Sequence, residues 1–155
     1  MGGNKVTEKY LIRRAKHSDL ITLVKLLTSL FSIEEDFIVD EAKQQSGLTM
    51  MLDDCQNRCI MVAELGEQVV GMCTAQILVS TAEGGIVALI EDVVVDYDYR
   101  GRGIGRQLLL SIQNWAIERG ARRLQLLADQ NNTPALMFYK NMGWEQTQLI
   151  CLRKK

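Results

Sequence analysis

The sequence predicts a mixed α/β domain, and three observations carry that expectation. Apolar residues recur every three to four positions from Leu20 to Phe31, every second position from Cys59 to Val95, and again with a helical period after Gly103. The period-two runs are consecutive and separated by Gly66-Glu67 and Gly84-Gly85, which are turn signals. After them a helix, a strand and another helix alternate, so a meander is followed by a crossover unit. The length of 155 residues fits one domain, taken as 1–155, and 47% hydrophobic residues are enough for a core.

In chain order, Tyr10 to Ala15 reads as a first strand. Ser18 or Asp19 can cap the helix that follows, whose apolar face is Leu20, Leu23, Leu27 and Leu30, widened by Val24, Leu26 and Phe31. Glu34 to Asp54 reads as a second helical region with sparse apolar positions, and Gly47 is a candidate break. Cys59 to Leu65, Val69 to Ser80 and Ile86 to Val95 read as strands. The third is nearly continuous in apolar residues and therefore central, except that Glu91 and Asp92 interrupt it with charge. Ile104, Leu108, Ile112, Trp115 and Ala116 mark a helix closing on Gly120. Leu124 to Ala128 reads as a strand. Thr133 reads as the N-cap, and Pro134 as the first helical residue, of a last helix that ends at Gly143. Trp144 to Leu152 reads as a final alternating strand, whose edge can pair with a second copy.

Several function classes are disfavoured. A formal net charge of -1 argues against a general binder of nucleic acid or anionic membranes. No apolar run approaches the roughly 18 residues of a membrane span. Met1 to Thr7 has no signal-peptide pattern, and Val6 breaks the myristoylation pattern at Gly2. Cys55, Cys59, Cys73 and Cys151 contain no C-x-x-C, and the sole histidine, His17, is remote from them. The cysteines therefore read as reduced thiols of a cytoplasmic protein, with no metal site expected. His17 reads as a surface or cap residue.

The informative stretch is Glu91 to Arg106, EDVVVDYDYRGRGIGR. An apolar β-branched run leads into a turn with glycine at 101, 103 and 105, and a helix begins there. Such a strand, turn and helix start can build an anion site from backbone N–H groups and the helix dipole. Each dipole interaction contributes roughly 0.3–1 kcal/mol when exposed. The dinucleotide pattern G-x-G-x-x-G fails at Arg106 from one start and at Leu108 from the other, and no G-K-[ST] occurs. What remains is R-x-x-G-x-G on Arg100, Gly103 and Gly105. By spacing alone this also fits a surface turn with solubilising arginines.

The chain resembles the GNAT superfamily of acetyl-coenzyme A-dependent N-acetyltransferases. The cofactor motif R/Q-x-x-G-x-G/A matches Arg100 to Gly105, and the preceding V-x-x-x-x-R spacing matches Val95 and Arg100. A later signature, N-x-x-A-x-x-F-Y and K-x-x-G-F/W, matches Asn132, Ala135, Phe138, Tyr139, Lys140, Gly143 and Trp144. The resemblance implies a mostly antiparallel sheet whose fourth and fifth strands splay apart, often at a bulge in the fourth. It implies that the backbone of Val93, Val94 and Val95 pairs with the pantetheine arm and acetyl carbonyl. It implies that the N–H groups of Arg100, Gly101, Arg102, Gly103, Ile104, Gly105 and Arg106 hold the pyrophosphate, and that Asn132 contacts pantetheine. Tyr139 would protonate the leaving thiolate, and Glu91 would be the general base. Relatives are often homodimers.

The residues bear on these roles independently. Aminolysis of a thioester needs a neutral amine, a polarised carbonyl and an acid for the thiolate. Asn132 and Tyr139 are seven apart and share a helix face, although a helical tyrosine is also an ordinary core anchor. Glu91 and Asp92 are adjacent, so a regular strand points them to opposite faces. Glu34, Glu35, Asp36, Asp40, Glu41, Asp53 and Asp54 face only Lys43 in their region. They form either a solvated helix surface or a negative funnel for a small cationic amine. A protein Nα- or lysine acetyltransferase and a non-catalytic acyl-CoA-binding sensor are the alternatives.

Overall fold

The structure, a computed structural model, describes residues 9–34 and 38–155. Strand β1 (Leu11–Arg14) is followed by helices α1 (Leu20–Ile33) and α2 (Glu41–Asp53). The meander is β2 (Arg58–Leu65), β3 (Gln68–Ser80) and β4 (Gly85–Val95). Helix α3 (Ile104–Glu118), strand β5 (Leu124–Leu126) and helix α4 (Thr133–Asn141) complete the order. The five strands form one sheet in sequence order, antiparallel except for the parallel β4–β5 pair. This is the mixed, mostly antiparallel sheet the sequence implies.

Both faces of the sheet are covered, so β2, β3 and β4 bury apolar residues on both sides. Cys59, Met61, Ala63, Cys73, Ala75, Ala88 and Ile90 pack with α3 through Ile104, Leu108, Ile112 and Trp115. Ile60, Val62, Met72 and Val94 pack on the other side with Leu23, Leu26, Leu27 and Leu48 of α1 and α2. Asp19 stands before α1 but does not cap it with its side chain. Its carboxylate instead accepts from both terminal nitrogens of Arg13, at 2.8 and 3.0 Å, and from the Lys16 N–H at 2.7 Å. Arg13 also donates to Glu64 at 2.7 Å, so one guanidinium ties β1 to β2 and to the start of α1.

The second helical region is shorter than expected. Helix begins only at Glu41, where Asp40 caps it by accepting from the Lys43 N–H at 3.2 Å. Gly47 does not split it: the position is exposed, and a Cβ there would meet nothing within 4 Å. Residues 35–37, which include Glu35 and Asp36, lie outside the described residues, as do residues 1–8. The last helix is capped one residue early, by Asn132, with Thr133 already helical.

The final strand is not formed. Residues 144–152 hold no strand, and Leu149, Ile150 and Leu152 are 81%, 81% and 85% exposed. Alternation makes a strand only where a backbone edge pairs with it. The sheet ends at β5, and the tail makes no ladder to that edge.

The irregular place in the sheet is the far half of β4. Its parallel pairing with β5 covers only Ala88, Leu89 and Ile90. Beyond Ile90 the two strands part. On the β3 side, Thr74 opposes Glu91 and Met72 opposes Val94, so β4 carries one extra residue there. This is a bulge, and within it Asp92 has φ +53°. The inserted residue reverses the side-chain alternation. Ala88 and Ile90 face α3 before the bulge, whereas Val93 and Val95 do after it.

Gly71 of β3 sits against this irregular segment. A Cβ at that position would lie 3.0 Å from Leu108 Cδ1 and 3.2 Å from the Val94 carbonyl oxygen. Gly71→Ala is therefore expected to destabilise the protein by about 1–3 kcal/mol, the usual range for overpacking. A lower urea midpoint at unchanged m-value is the measurement that checks it.

Candidate active site

The site is the wedge between β4 and β5, roofed by the start of α3 and by α4. Its first wall is the open edge of β4. The Val94 carbonyl faces Gly71 on β3, and the N–H of Asp96 donates to Val70 on the same side, at 2.8 Å. Strand geometry then turns the backbone groups of Val93 and Val95 toward the open edge. Of the three valines expected there, Val94 is the exception: its polar groups face β3 and its side chain is buried against α1 and α2. Arg100 donates from Nε to the Val95 carbonyl at 2.9 Å, which fixes the turn against the end of the strand.

The floor of the wedge is the glycine turn. Gly101 and Gly103 have φ of +75° and +82°, and Gly103 is the N-cap position of α3. A side chain at Gly103 would be strained in that conformation whatever room it had. The N–H of Gln107 donates to the Gly103 carbonyl at 3.1 Å and begins the helical ladder. The N–H groups of Ile104, Gly105 and Arg106 thus precede the ladder and have no acceptor within the helix. The Ile104 side chain is fully buried in the core, so its backbone alone faces the turn. Arg102 stacks over Tyr99 at 5.3 Å, Arg100 lies over Tyr97 at 5.5 Å, and Arg106 is exposed. A Cβ at Gly105 would touch Phe138 at 3.5 Å and Val95 at 3.8 Å, which brings α4 close to the turn.

The second wall is α4. Asn132 accepts from the Ala135 N–H through Oδ1 at 3.2 Å, so its oxygen is engaged in capping. Tyr139 is half-buried, edge-on to Phe138 and Trp144 at 5.2 and 6.3 Å between ring centres. Burial pushes its phenol up to about 12, and the charges of Cys73 and Glu34 act in the same direction. Tyr139 therefore remains a phenol throughout the neutral range.

The carboxylates depart from the regular-strand expectation. Thr74 stands opposite Glu91, yet its hydroxyl donates to Asp92 Oδ2 at 3.2 Å. The bulge removes the segregation of the two side chains to opposite faces. Burial pushes the Asp92 carboxyl up to about 6, the neighbouring Glu91 charge adds to the rise, and the Thr74 hydrogen bond opposes it. Asp92 is the residue that sequence reasoning undervalued. Its signal was present, as a charge in a central strand, but the left-handed backbone that aims it was not legible.

Among the described residues, the remaining acids of this region are spread along α2 and its ends. Asp53 pairs with exposed His17 at 3.1 Å, and Asp54 accepts from Asn57 at 3.2 Å. Both lie at the far end of α2, roughly 20 Å from Asp40 and Glu41 at 1.5 Å per residue. Glu34, at the end of α1, is the acidic group whose charge reaches Tyr139. Cys59 and Cys73 are buried thiols, and burial raises the pKa of Cys59 to about 11 and that of Cys73 well above its ordinary value. Among the described residues, no group of three or more His, Cys, Asp or Glu is arranged to hold a metal, and no helix is long and apolar enough to cross a membrane.

Known proteins share the sequence pattern and the fold. Residues 20–144 match the model of the Acetyltransferase (GNAT) family. An uncharacterized N-acetyltransferase of Methanocaldococcus jannaschii is 28% identical over 91% of this chain, which spans 63% of that protein. Thialysine N-epsilon-acetyltransferase of Bos taurus is 28% identical over 86% of this chain and 82% of its own length. The fold matches, with a TM-score of 0.82 and 22% identity, a possible acetyltransferase from Clostridium difficile 630, over 94% of this chain and 97% of that one. An aminoglycoside N-acetyltransferase solved in complex with CoA matches with a TM-score of 0.81 at 19% identity, over 95% of each chain. With its parted strands, glycine turn and two motifs in one cleft, the chain belongs to the Acetyltransferase (GNAT) family.

Proposed function

We propose that residues 1–155 form one N-acetyltransferase domain, which moves an acetyl group from acetyl-CoA to the primary amine of a small cationic acceptor. The observation that carries this reading is the wedge itself. An unpaired strand edge and unladdered helix N–H groups border it, and α4, which carries the protonated Tyr139, approaches the turn through Phe138. Acetyl-CoA supplies the thioester whose carbonyl carbon receives the amine and whose thiolate departs.

The chain's own residues suit that co-substrate. The turn from Arg100 to Arg106 offers backbone N–H groups and a helix dipole to a pyrophosphate, with no side chain at 101, 103 or 105 to obstruct it. Val93 and Val95 present an open-edge ladder to the amides of a pantetheine arm. Asn132 has its amide nitrogen left for the same arm once its oxygen caps α4. Tyr139 holds its proton and directs it at the sulfur as negative charge grows there. The proton of the acceptor ammonium goes to a carboxylate at the head of the open edge, where Glu91 and Asp92 stand together. Glu34 near Tyr139 favours a cationic acceptor, in keeping with relatives named for thialysine and aminoglycosides.

The reading is tested by following free thiol release from acetyl-CoA with a panel of amines. Diamines, amino sugars and lysine analogues are expected to exceed lysyl and N-terminal peptides in kcat/KM, with rates falling as salt rises. A peptide as best substrate would make this a protein acetyltransferase. Coenzyme A binding without thiol release for any amine in the panel would make it an acyl-CoA-binding sensor.

Two variants probe the machinery. Tyr139→Phe is expected to lower kcat about 100-fold with coenzyme A affinity unchanged by calorimetry. The same variant should remove from the ultraviolet titration one phenol that ionises near pH 12. Gly103→Ala forces a side chain into a left-handed position, which costs about 1–2 kcal/mol. Its coenzyme A Kd is expected to rise about tenfold, since 1.4 kcal/mol is one decade.

A further inference from the structure

Resting on the acetyl-transfer reading above, we propose that Asp92, rather than Glu91, is the group that takes the proton from the acceptor ammonium. The proposal stands first on backbone geometry. Asp92 is a non-glycine residue with φ +53°, and it occupies the extra position of the β4 bulge. A left-handed residue in a central strand is unfavourable, and such positions persist where the surrounding fold enforces them, often at functional sites. Here the bulge falls two residues after the last β4–β5 pair, where the wedge opens. Without it, Val93 and Val95 would keep the opposite parity, and the carboxyl would not be held by the Thr74 hydroxyl.

The second support is electrostatic. The Asp92 charge raises the buried Cys73 thiol, and Cys73 in turn raises the Tyr139 phenol, so the proton acceptor and the proton donor act on one buried sulfur. The titratable and charged groups that bear on Asp92 are Glu91 on its own strand and the Cys73 thiol on β3, and Glu34 bears with Cys73 on Tyr139. Thr74 adds a hydroxyl that does not titrate. Burial and the Glu91 charge bring the Asp92 pKa to about 6, which leaves it ionised at neutral pH yet more basic than an ordinary carboxylate. Glu91 therefore tunes its neighbour.

The proton balance closes. The Asp92 carboxylate accepts one proton from R–NH3+, giving R–NH2 and the neutral acid. The nitrogen lone pair attacks the thioester carbonyl carbon, and the C–S bond breaks as the carbonyl re-forms. The Tyr139 phenol donates to the departing thiolate and is restored by the second nitrogen proton. Asp92 then releases its proton to water, so amide, free thiol and one proton are the products.

The test is the pH dependence of kcat with the best amine of the panel, for wild type, Asp92→Asn, Asp92→Gly and Glu91→Gln. Asparagine and glycine both tolerate φ +53°, so a folding defect is not expected in either. Wild type should rise with pH through an apparent pKa near 6. Both Asp92 variants should lose that limb and at least 100-fold in kcat, with coenzyme A binding retained. Glu91→Gln removes a neighbouring negative charge, so its limb should move to lower pH but remain. An amine that is uncharged at the assay pH should restore much of the rate in Asp92→Asn, which a structural defect would not allow. If Glu91→Gln abolishes the limb while Asp92→Asn only displaces it, the assignment is overturned. If wild type itself releases no thiol with any amine, the acetyl-transfer reading fails. The proton assignment is then judged by carboxyl NMR titration, where an Asp92 pKa below that of Glu91 would overturn it.

Discussion

The arrangement depends on one interrupted hydrogen-bond ladder. β4 is a central strand that should be paired along both edges, yet its parallel pairing with β5 ends at Ile90. Five further residues of β4 follow without a β5 partner, and of these Val93 and Val95 turn backbone groups to that side. An unpaired, shielded strand edge is costly, because each N–H and C=O must find a partner or water. The structure meets part of that cost internally: Arg100 reaches back to the Val95 carbonyl, and Val94 turns its carbonyl to β3. What is left is a short row of directed donors and acceptors at the mouth of a wedge, a surface suited to an extended amide-bearing ligand.

The bulge at Asp92 and the parting of the strands are two aspects of one geometry. An extra residue in β4 increases the local twist and bends the strand away from its neighbour. The same residue shifts Val93 and Val95 onto the α3 side, where they line the approach to the glycine turn beside Phe138. It also lodges a carboxyl among apolar groups, where charge is disfavoured and the pKa rises. Backbone strain, cleft shape and proton affinity therefore arise together from one position. Rigid packing around it makes this possible. Met72, Val94 and the leucines of α1 close one face, while Leu108 and Ile112 of α3 close the other.

Charge is distributed with similar locality. The Arg13 guanidinium holds Asp19 below the usual carboxylate range, chiefly through their hydrogen bond, and binds Glu64 as well. Asp40 and Asp54 are engaged with backbone N–H groups, and Asp53 with His17. Sequence counts treat these acids as one field, but each is largely committed to its own turn. Glu34 differs because its position at the end of α1 lets its charge reach Tyr139.

The sequence by itself determined the element order as far as Gly143, the glycine turn before α3 and the two motifs. These rest on local signals: hydrophobic period, glycine at positions needing a left-handed backbone, and fixed spacing along a helix. Arg100 to Arg106 and Asn132 to Tyr139 were legible for that reason. The failures share a different cause. Trp144 to Leu152 alternates like a strand but does not pair with the β5 edge, and the cap of α4 moved to Asn132 because that side chain reaches the Ala135 N–H. Val94 looked equivalent to its neighbours until the register turned it toward β3. Most tellingly, the rule that adjacent strand residues face apart failed at Glu91 and Asp92. Only the tertiary structure could decide that, because a bulge is set by the pairing of two distant strands and not by the residues within one of them.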